Sequence, residues 1–257
     1  MSDLRKRFSV RLPRIHGNGL KILSMVILLL ANFNTLILEK GILHLESYTP
    51  EGLVAAMDAS TSLTAWVGVA SILRLVGAVA VPIFAFLLVE GFVHTGNYKQ
   101  YLTAVAATAL VSEPLYDYAM TGKLLEFSLQ NPLLAVAIAL AMLGIMGMLD
   151  SRTVVEKAIG RLLILLCAAF WVILCRTEYG LQTVVLAAIF YCFRERLFAK
   201  IALSVLACIA NPLEPFALCG LIYYSGERNL KLPKYVFYAV YPLHLLVMGI
   251  VLRNFLL

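Results

Sequence analysis

Residues 62–90, SLTAWVGVASILRLVGAVAVPIFAFLLVE, decide the fold class of this chain. Within this run, Arg74 is the only charged side chain before the closing Glu90. A helix needs about 20 consecutive apolar residues to cross a bilayer, and this run is longer. The rest of the chain has the same character, since 61% of its 257 residues are hydrophobic and only 14% are charged. We therefore expect a membrane protein, and neither a soluble enzyme nor a nucleic-acid-binding module.

Eight more segments have the length and apolar character of further membrane spans. Residues 62–90 are long enough to hold a short interfacial helix followed by one span. The sequence thus predicts an all-α, polytopic transmembrane helix bundle of about nine spans, with eight to ten as the range, over residues 20–257. The other predicted spans are Leu20–Leu38, Gln100–Ala119, Asn131–Leu149, Gly160–Cys175, Leu181–Phe193, Ile201–Ala210, Pro215–Tyr224 and Tyr235–Leu252.

The charges predict how these spans are oriented. Residues 1–19 are basic and broken by Pro13 and Gly17, so they form a cytoplasmic tail. The first apolar run is too long for a signal peptide and lacks a cleavage site, which keeps it as a span. With nine spans, 16 of the 21 Lys and Arg fall on the side of the tail and four on the other. This bias predicts a cytoplasmic N-terminus and a C-terminus outside.

The cysteines indicate neither a disulfide framework nor a metal site. All five lie inside apolar runs, and no two have the spacing of a zinc or iron–sulfur motif. We expect them to be buried and reduced, and we expect no metal. They are Cys167, Cys175, Cys192, Cys208 and Cys219.

Ionisable groups at membrane depth are costly, so each of them needs a partner or a function. Glu113 precedes Pro114 in the third predicted span, and Asp117 follows on the same helical face. Two interpretations stay open: a structural pair held by Arg74 or a tyrosine, and a catalytic or binding pocket near the outer surface. Gln130 and Asn131, with Glu178, lie near the same boundary.

The last predicted span carries three polar residues at intervals of three. Tyr238, Tyr241 and His244 share one helical face, and Pro242 frees a backbone carbonyl between them. Such a set is typical of an interhelical hydrogen-bonded contact. The same set also suits a proton-handling site, since a histidine next to two phenols can accept and donate protons. His244 is the only histidine expected deep in the membrane.

A basic turn precedes this span on the predicted cytoplasmic side. It holds Arg228, Lys231 and Lys234, which could bind the phosphates of a nucleotide cofactor. The positive-inside bias alone explains part of the same cluster.

Several motifs along nearly the whole chain resemble one family. They are Gly77–Phe92 (GAVAVPIFAFLLVEGF), Thr95, Asn97–Lys99 with Tyr101, Ser112–Glu113, Gln130–Asn131, Tyr179–Gly180, Gly226–Arg228 and Phe237–Leu246 (FYAVYPLHLL). The family is TraX, bacterial inner-membrane proteins whose best-known member acetylates the N-terminus of conjugative F-type pilin. The resemblance implies an acetyltransferase that takes its acetyl group from cytoplasmic acetyl-CoA. The acceptor would be a pilin N-terminus or another molecule of the cell envelope.

The chain departs from the family at four places. It has Ala31–Asn32 where Asp-His is usual, and Gly77–Ala78 where Gly-Arg is usual. Ala104 replaces an Arg, and Leu134–Ala135 replaces Phe-Thr. If the first-span His is the general base, Asn32 cannot replace it, because an amide takes up no proton near pH 7. Arg74, one turn before Ala78, could stand in for the missing Arg.

Three functional hypotheses follow. In the first, an acetyltransferase binds acetyl-CoA at the basic turn, with His244 as base or transient acceptor, Tyr241 orienting it and Glu113 positioning the acceptor. Asn32, Arg74, Tyr238, Gln130 and Asn131 then belong to the pocket. The second hypothesis is a degenerate relative without turnover that serves pilus, conjugation or envelope assembly as an interaction partner. The third, a small-solute carrier, is disfavoured because the sequence shows no internal repeat.

Overall fold

The computed structural model describes residues 17–209, 211–222 and 234–257, and every regular element in these ranges is a helix. This confirms the predicted all-α class for the described part of the chain. Two π-helical segments, Asn34–Ile42 and Leu252–Leu256, extend the first and last helices. The helices are α1 (Gly17–Phe33), α2 (Pro50–Ala59), α3 (Thr61–Ala78), α4 (Ala80–His94), α5 (Tyr98–Thr121), α6 (Pro132–Gly147), α7 (Val154–Leu174), α8 (Gly180–Cys192), α9 (Leu197–Ala207), α10 (Glu214–Ile222) and α11 (Lys234–Val251).

Four helical segments within the described ranges are long and apolar enough to cross a membrane. The chain is therefore a membrane protein, but the predicted count of about nine spans is not confirmed. A helix stands at each predicted span, yet several are short: α8 has 13 residues and so covers about 20 Å of a hydrocarbon core about 30 Å thick. The four segments are Gly19–Ile42, Thr61–His94, Val154–Leu174 and Val236–Leu256.

Residues 62–90, the apolar run that determines the fold class, and the segment before them fold differently from the prediction. The short helix is α2, which ends at Ala59, before residue 62. The side chain of Ser60 then caps α3 by accepting a hydrogen bond from the Leu63 amide. The apolar run itself forms two helices, α3 and α4, that meet at Val79. A side chain at Gly77 would collide with Ala31, so this glycine allows the end of α3 to approach α1 closely.

The core of the bundle lies between α4, α6 and α8. Leu140, Leu143 and Leu186 are fully enclosed there. The rings of Phe86 and Phe190 meet edge to face at 5.7 Å, which joins α4 to α8. These helices are apolar around most of their circumference, which is typical of buried membrane helices.

A second apolar cluster joins α5 to α11. Tyr116, Tyr241 and Leu245 are its buried centre. Gly249 of α11 lies against Ala119 of α5, and a Cβ at that glycine would come within 3.2 Å of the Ala119 Cα. The absence of a side chain at position 249 therefore brings the two backbones together.

Helix α7 packs on the outside of the bundle. Ala168 and Val172 are its only buried residues, whereas large apolar side chains such as Leu163 and Phe170 are exposed. An exposed apolar face of this kind is stable against lipid and unstable against water. Helix α7 therefore faces the bilayer.

Candidate functional site

A cavity of about 630 Å³ lies between α1, α4, α5, α6 and α11. Lys21 of α1 and His94 of α4 line one part of it, which we call the basic end. Met120, Glu178 and Tyr179 line another part, which we call the acidic end. Most of the wall between them is apolar, so polar groups that do face the cavity are candidates for chemistry.

Three residues singled out in the sequence meet at the wall of this cavity. The Nε2 atom of His244 lies 2.6 Å from the Asn32 side-chain nitrogen, and Nδ1 lies 3.0 Å from the Val240 carbonyl oxygen. Both contacts are satisfied when the imidazole is neutral: Nδ1–H donates to Val240, and Nε2 accepts from the Asn32 amide. The rings of Tyr241 and His244 meet edge to face, with centroids 5.2 Å apart.

These three residues differ in their access to the cavity. Asn32 and Tyr241 line it, whereas His244 is buried beside them and does not. The Asn32 amide donates a hydrogen bond to Nε2 of His244, the nitrogen that would have to accept a proton if His244 were the base. Tyr238, one turn before Tyr241, also lines the cavity.

Glu113 does not line the cavity either. The backbone amide of Asn131 donates to its Oε2 atom at 3.2 Å, and the Asn131 side-chain amide donates to the same oxygen. That side chain also binds the Ala109 carbonyl and caps α6 by accepting from the Leu133 amide. In the described part of the chain, the Glu113 Oε1 atom is buried without a hydrogen-bond partner. Asn131 thus fixes the carboxylate against α6.

Arg74 pairs with a carboxylate that the sequence placed outside the first span. Its Nη2 and Nε atoms donate to the two oxygens of Glu39, at 2.6 and 3.3 Å. The Asn34 side-chain amide donates to the same carboxylate at 2.7 Å. Glu39 is buried because the first helix continues as a π-helix to Ile42 instead of ending at Leu38. Arg74 does not line the cavity, and its described partner is Glu39, not Glu113.

Glu178 is the one carboxylate among the described residues that line the cavity. In the sequence, Glu178 stands out only as a polar residue near the membrane boundary. The hydroxyl of Tyr116 donates a hydrogen bond to its Oε2 atom at 2.9 Å. Burial raises the pKa of this loop carboxyl, and the Tyr116 hydrogen bond opposes that rise by favouring the charged form.

The loop that carries Glu178 is strained on both sides of it. Arg176 and Tyr179 have positive φ angles of 50° and 53°, a region that residues other than glycine rarely adopt. A short bridge to Gln130 holds the loop: the Gln130 amide donates to the Arg176 carbonyl, and the Glu178 amide donates to the Gln130 carbonyl. Thus Gln130 positions the loop through its backbone, a role that its side-chain polarity did not predict.

The proposed cofactor residues fall largely outside the described residues. Arg228 and Lys231 are not described, and Lys234 is described only as the first residue of α11. The Lys21 ammonium lies 5.8 Å from the centre of the Phe237 ring, which places the start of α11 at the basic end. The segment that carries the basic turn leads into α11 at this end.

Comparisons with known proteins agree with the motifs in the sequence. A family model described as "TraX protein" matches residues 16–252. The chain is 25% identical over 200 residues to a protein of Dichelobacter nodosus described as "Probable fimbrial assembly protein FimC, serogroup H1". This similarity covers 67% of the present chain and 80% of that relative. No solved structure matches the chain.

Proposed function

Since the chain belongs to the TraX family, we propose that it is a pilus-related membrane acetyltransferase of the bacterial inner membrane. It transfers an acetyl group from acetyl-CoA to a pilin N-terminus or to another acceptor in the cell envelope. The fimbrial assembly protein with which it shares 25% identity supports the pilus-related part of this proposal.

The cavity is the observation that carries the proposal. A transfer between two aqueous compartments needs a path through the bundle in which donor and acceptor can meet. One cavity is lined both by Lys21 at the basic end and by Glu178 at the acidic end, which supports such a path. Between them it passes Asn32 and Tyr241, the side chains next to His244. An acetyl thioester has the size and largely apolar character that this space accommodates.

The charges of the two ends suggest which substrate enters where. An anionic donor is attracted to the basic end, where Lys21 lies. Arg228 and Lys231, which the sequence predicts to bind the cofactor, follow Lys21 in this proposal but lie outside the described residues. The carboxylate of Glu178 at the acidic end attracts a cationic acceptor such as an α-ammonium group.

The orientation in the membrane is part of the proposal. We place the N-terminus and the basic end at the cytoplasm, and the acidic end with the C-terminus outside. Lys40 and Arg253, two of the four cations predicted outside, bind the carbonyls of Met120 and Ala119 near the acidic end. Reporter fusions at Arg14 and Leu257 should report opposite compartments. A shared compartment would contradict the predicted odd number of spans.

The first experiment measures acetyl-CoA binding and transfer by the full chain in detergent. Radiolabelled acetyl-CoA is titrated against the purified protein, and release of the CoA thiol is followed with a pilin N-terminal peptide as acceptor. Ala104→Trp should block both, because Ala104 lines the cavity. Leu110→Trp is the matched control, since Leu110 lies on the exposed side of the same helix. Wild type that binds no acetyl-CoA at millimolar concentration would contradict the proposal.

A second candidate function is favoured by the contact between Asn32 and His244. Because both nitrogens of His244 are hydrogen-bonded, the imidazole is not free to accept a proton from a substrate. A relative without turnover, serving pilus or envelope assembly as an interaction partner, would tolerate this arrangement.

Substitutions at these positions separate the two candidates. If His244 handles the proton, His244→Gln should abolish transfer while the fold persists, because glutamine keeps hydrogen bonding without basicity. Ala31→Asp with Asn32→His restores the family pattern. A gain of transfer from an inactive parent would identify a lapsed enzyme, whereas an active parent unaffected by His244→Gln would remove His244 from the mechanism.

A further inference from the structure

The acidic end of the cavity contains the carboxylate of Glu178, which belongs to a loop and yet lines the cavity. Glu178 faces the cavity, while the two groups that the sequence favoured, His244 and Glu113, do not line it. If acyl transfer takes place in this cavity, a proton acceptor must reach the reacting atoms from its wall. Among the described lining residues, Glu178 is the carboxylate that meets this condition.

We infer that Glu178 is the catalytic general base, taking the proton from the acceptor amine as it attacks the acetyl thioester. This rests on the proposed function. An α-ammonium acceptor first gives one proton to water, and the neutral amine nitrogen then forms the new C–N bond with the thioester carbon while the C–S bond breaks. The Glu178 carboxylate takes the proton that the nitrogen loses, and CoA leaves as a thiolate that is then protonated by water.

Loop geometry is the first support for this role. Backbone strain persists only where the surrounding structure enforces it. Here the residues with positive φ, Arg176 and Tyr179, bracket Glu178, and the backbone bridge to Gln130 holds the loop in place. Gly180 follows directly, and a Cβ there would collide with the Thr177 side chain. The loop thus presents Glu178 to the cavity at a cost in strain.

The surroundings of the carboxylate are the second support. Tyr116, which is almost fully buried, donates to Oε2 and fixes the direction of the carboxylate. Among the described residues, three phenols interact with Glu178: Tyr116 from α5, Tyr241 from α11 and Tyr179 from its own loop. None of the three carries a charge at neutral pH. The carboxylate therefore lacks a cationic partner among these groups, and a cationic amine could become one.

The test uses the full-length protein in detergent and needs two readouts. Glu178→Gln keeps an oxygen that accepts from Tyr116 but removes the basicity. We expect kcat to fall by about 100-fold or more, with KM for acetyl-CoA within twofold of wild type. Glu178→Asp should retain part of kcat with a displaced pH profile, which a merely structural role would not produce. Glu178→Gln that retains kcat within threefold overturns the inference while leaving the proposed function intact.

The second readout does not depend on turnover. Dicyclohexylcarbodiimide is an apolar reagent that modifies protonated carboxyls. It should label Glu178 in wild type, with labelling that increases as the pH falls, and label Glu113 at least tenfold less because Asn131 covers that carboxylate. A wild type without an adduct on Glu178 overturns the inference even if Glu178→Gln fails to fold. A wild type that is labelled but shows no transfer overturns the proposed function, and the base assignment falls with it.

Discussion

Replacement of Arg74 by methionine should destabilise the fold without affecting the cavity. Arg74 makes two hydrogen bonds to the buried Glu39 carboxylate, and its removal leaves that carboxylate with the Asn34 amide. A hydrogen bond to a charged group contributes about 1.5–3 kcal/mol. Since the Arg74 side chain is 68% exposed, we discount this to about 1–2 kcal/mol. For a protein of this size, that corresponds to about 2–8 °C in Tm.

A double-mutant cycle measures this contribution by thermal unfolding in one detergent. In a Glu39→Gln background, Arg74→Met should cost less than about 0.5 kcal/mol, because the charge it balanced is gone. An equal cost of Arg74→Met in both backgrounds would refute the pairing. Acetyl-CoA binding should be unchanged in Arg74→Met, since Arg74 does not line the cavity. A loss of binding would instead support the sequence hypothesis that Arg74 replaces the missing family arginine.

Three further predictions concern other contacts. Because burial raises the pKa of Glu178, the folded state holds the proton of this carboxyl more tightly than the unfolded state does. The stability that this group contributes is fully present below its unfolded pKa and is lost as the pH rises through the raised folded pKa. In unfolding scans, wild type should therefore lose stability relative to Glu178→Gln over that pH range. Asn131→Ala should lower the unfolding free energy by about 1–2 kcal/mol, because it removes the cap of α6, whereas Gln130→Ala, which keeps the backbone bridge, should cost less. Gly249→Val should cost about 1–3 kcal/mol by pushing α11 from α5, while Gly68→Val, with open space around it, should leave Tm nearly unchanged.

Hydropathy and periodicity predicted the helical class and a helix at each expected span, because burial in lipid constrains composition over long windows. They did not predict α2 or the division of residues 62–90 between α3 and α4. The residues at which the helices end were harder to predict from the sequence. The sequence ended the first span at Leu38, since Glu39 and Lys40 are charged. The structure continues that helix to Ile42 because Arg74 and the Met120 carbonyl provide partners for these charges. Such partners come from distant parts of the chain and leave no local signal.

The candidate site was predictable to a similar degree. Helical spacing brought Tyr241 and His244 to one face, and the structure places Asn32 against them. The importance of Glu178 was not predictable from spacing, because it depends on two left-handed residues and on a bridge from another loop. Its position directly before Tyr179–Gly180, a pair resembling a family motif, is the one signal that could have drawn attention to it.

The short helices of the bundle imply a hydrophobic mismatch with an ordinary bilayer. Helix α8 is buried by its neighbours, but α9, with 11 residues, exposes Phe198 and Leu206. It is only about 17 Å long, so as a membrane span it would require thinned lipid, and otherwise it would remain in one leaflet. In either arrangement, the fit of the protein in the bilayer depends on the acyl-chain length of the surrounding lipid. Thin membranes therefore suit this side of the molecule, and thicker ones impose an elastic penalty that grows with each ångström of mismatch.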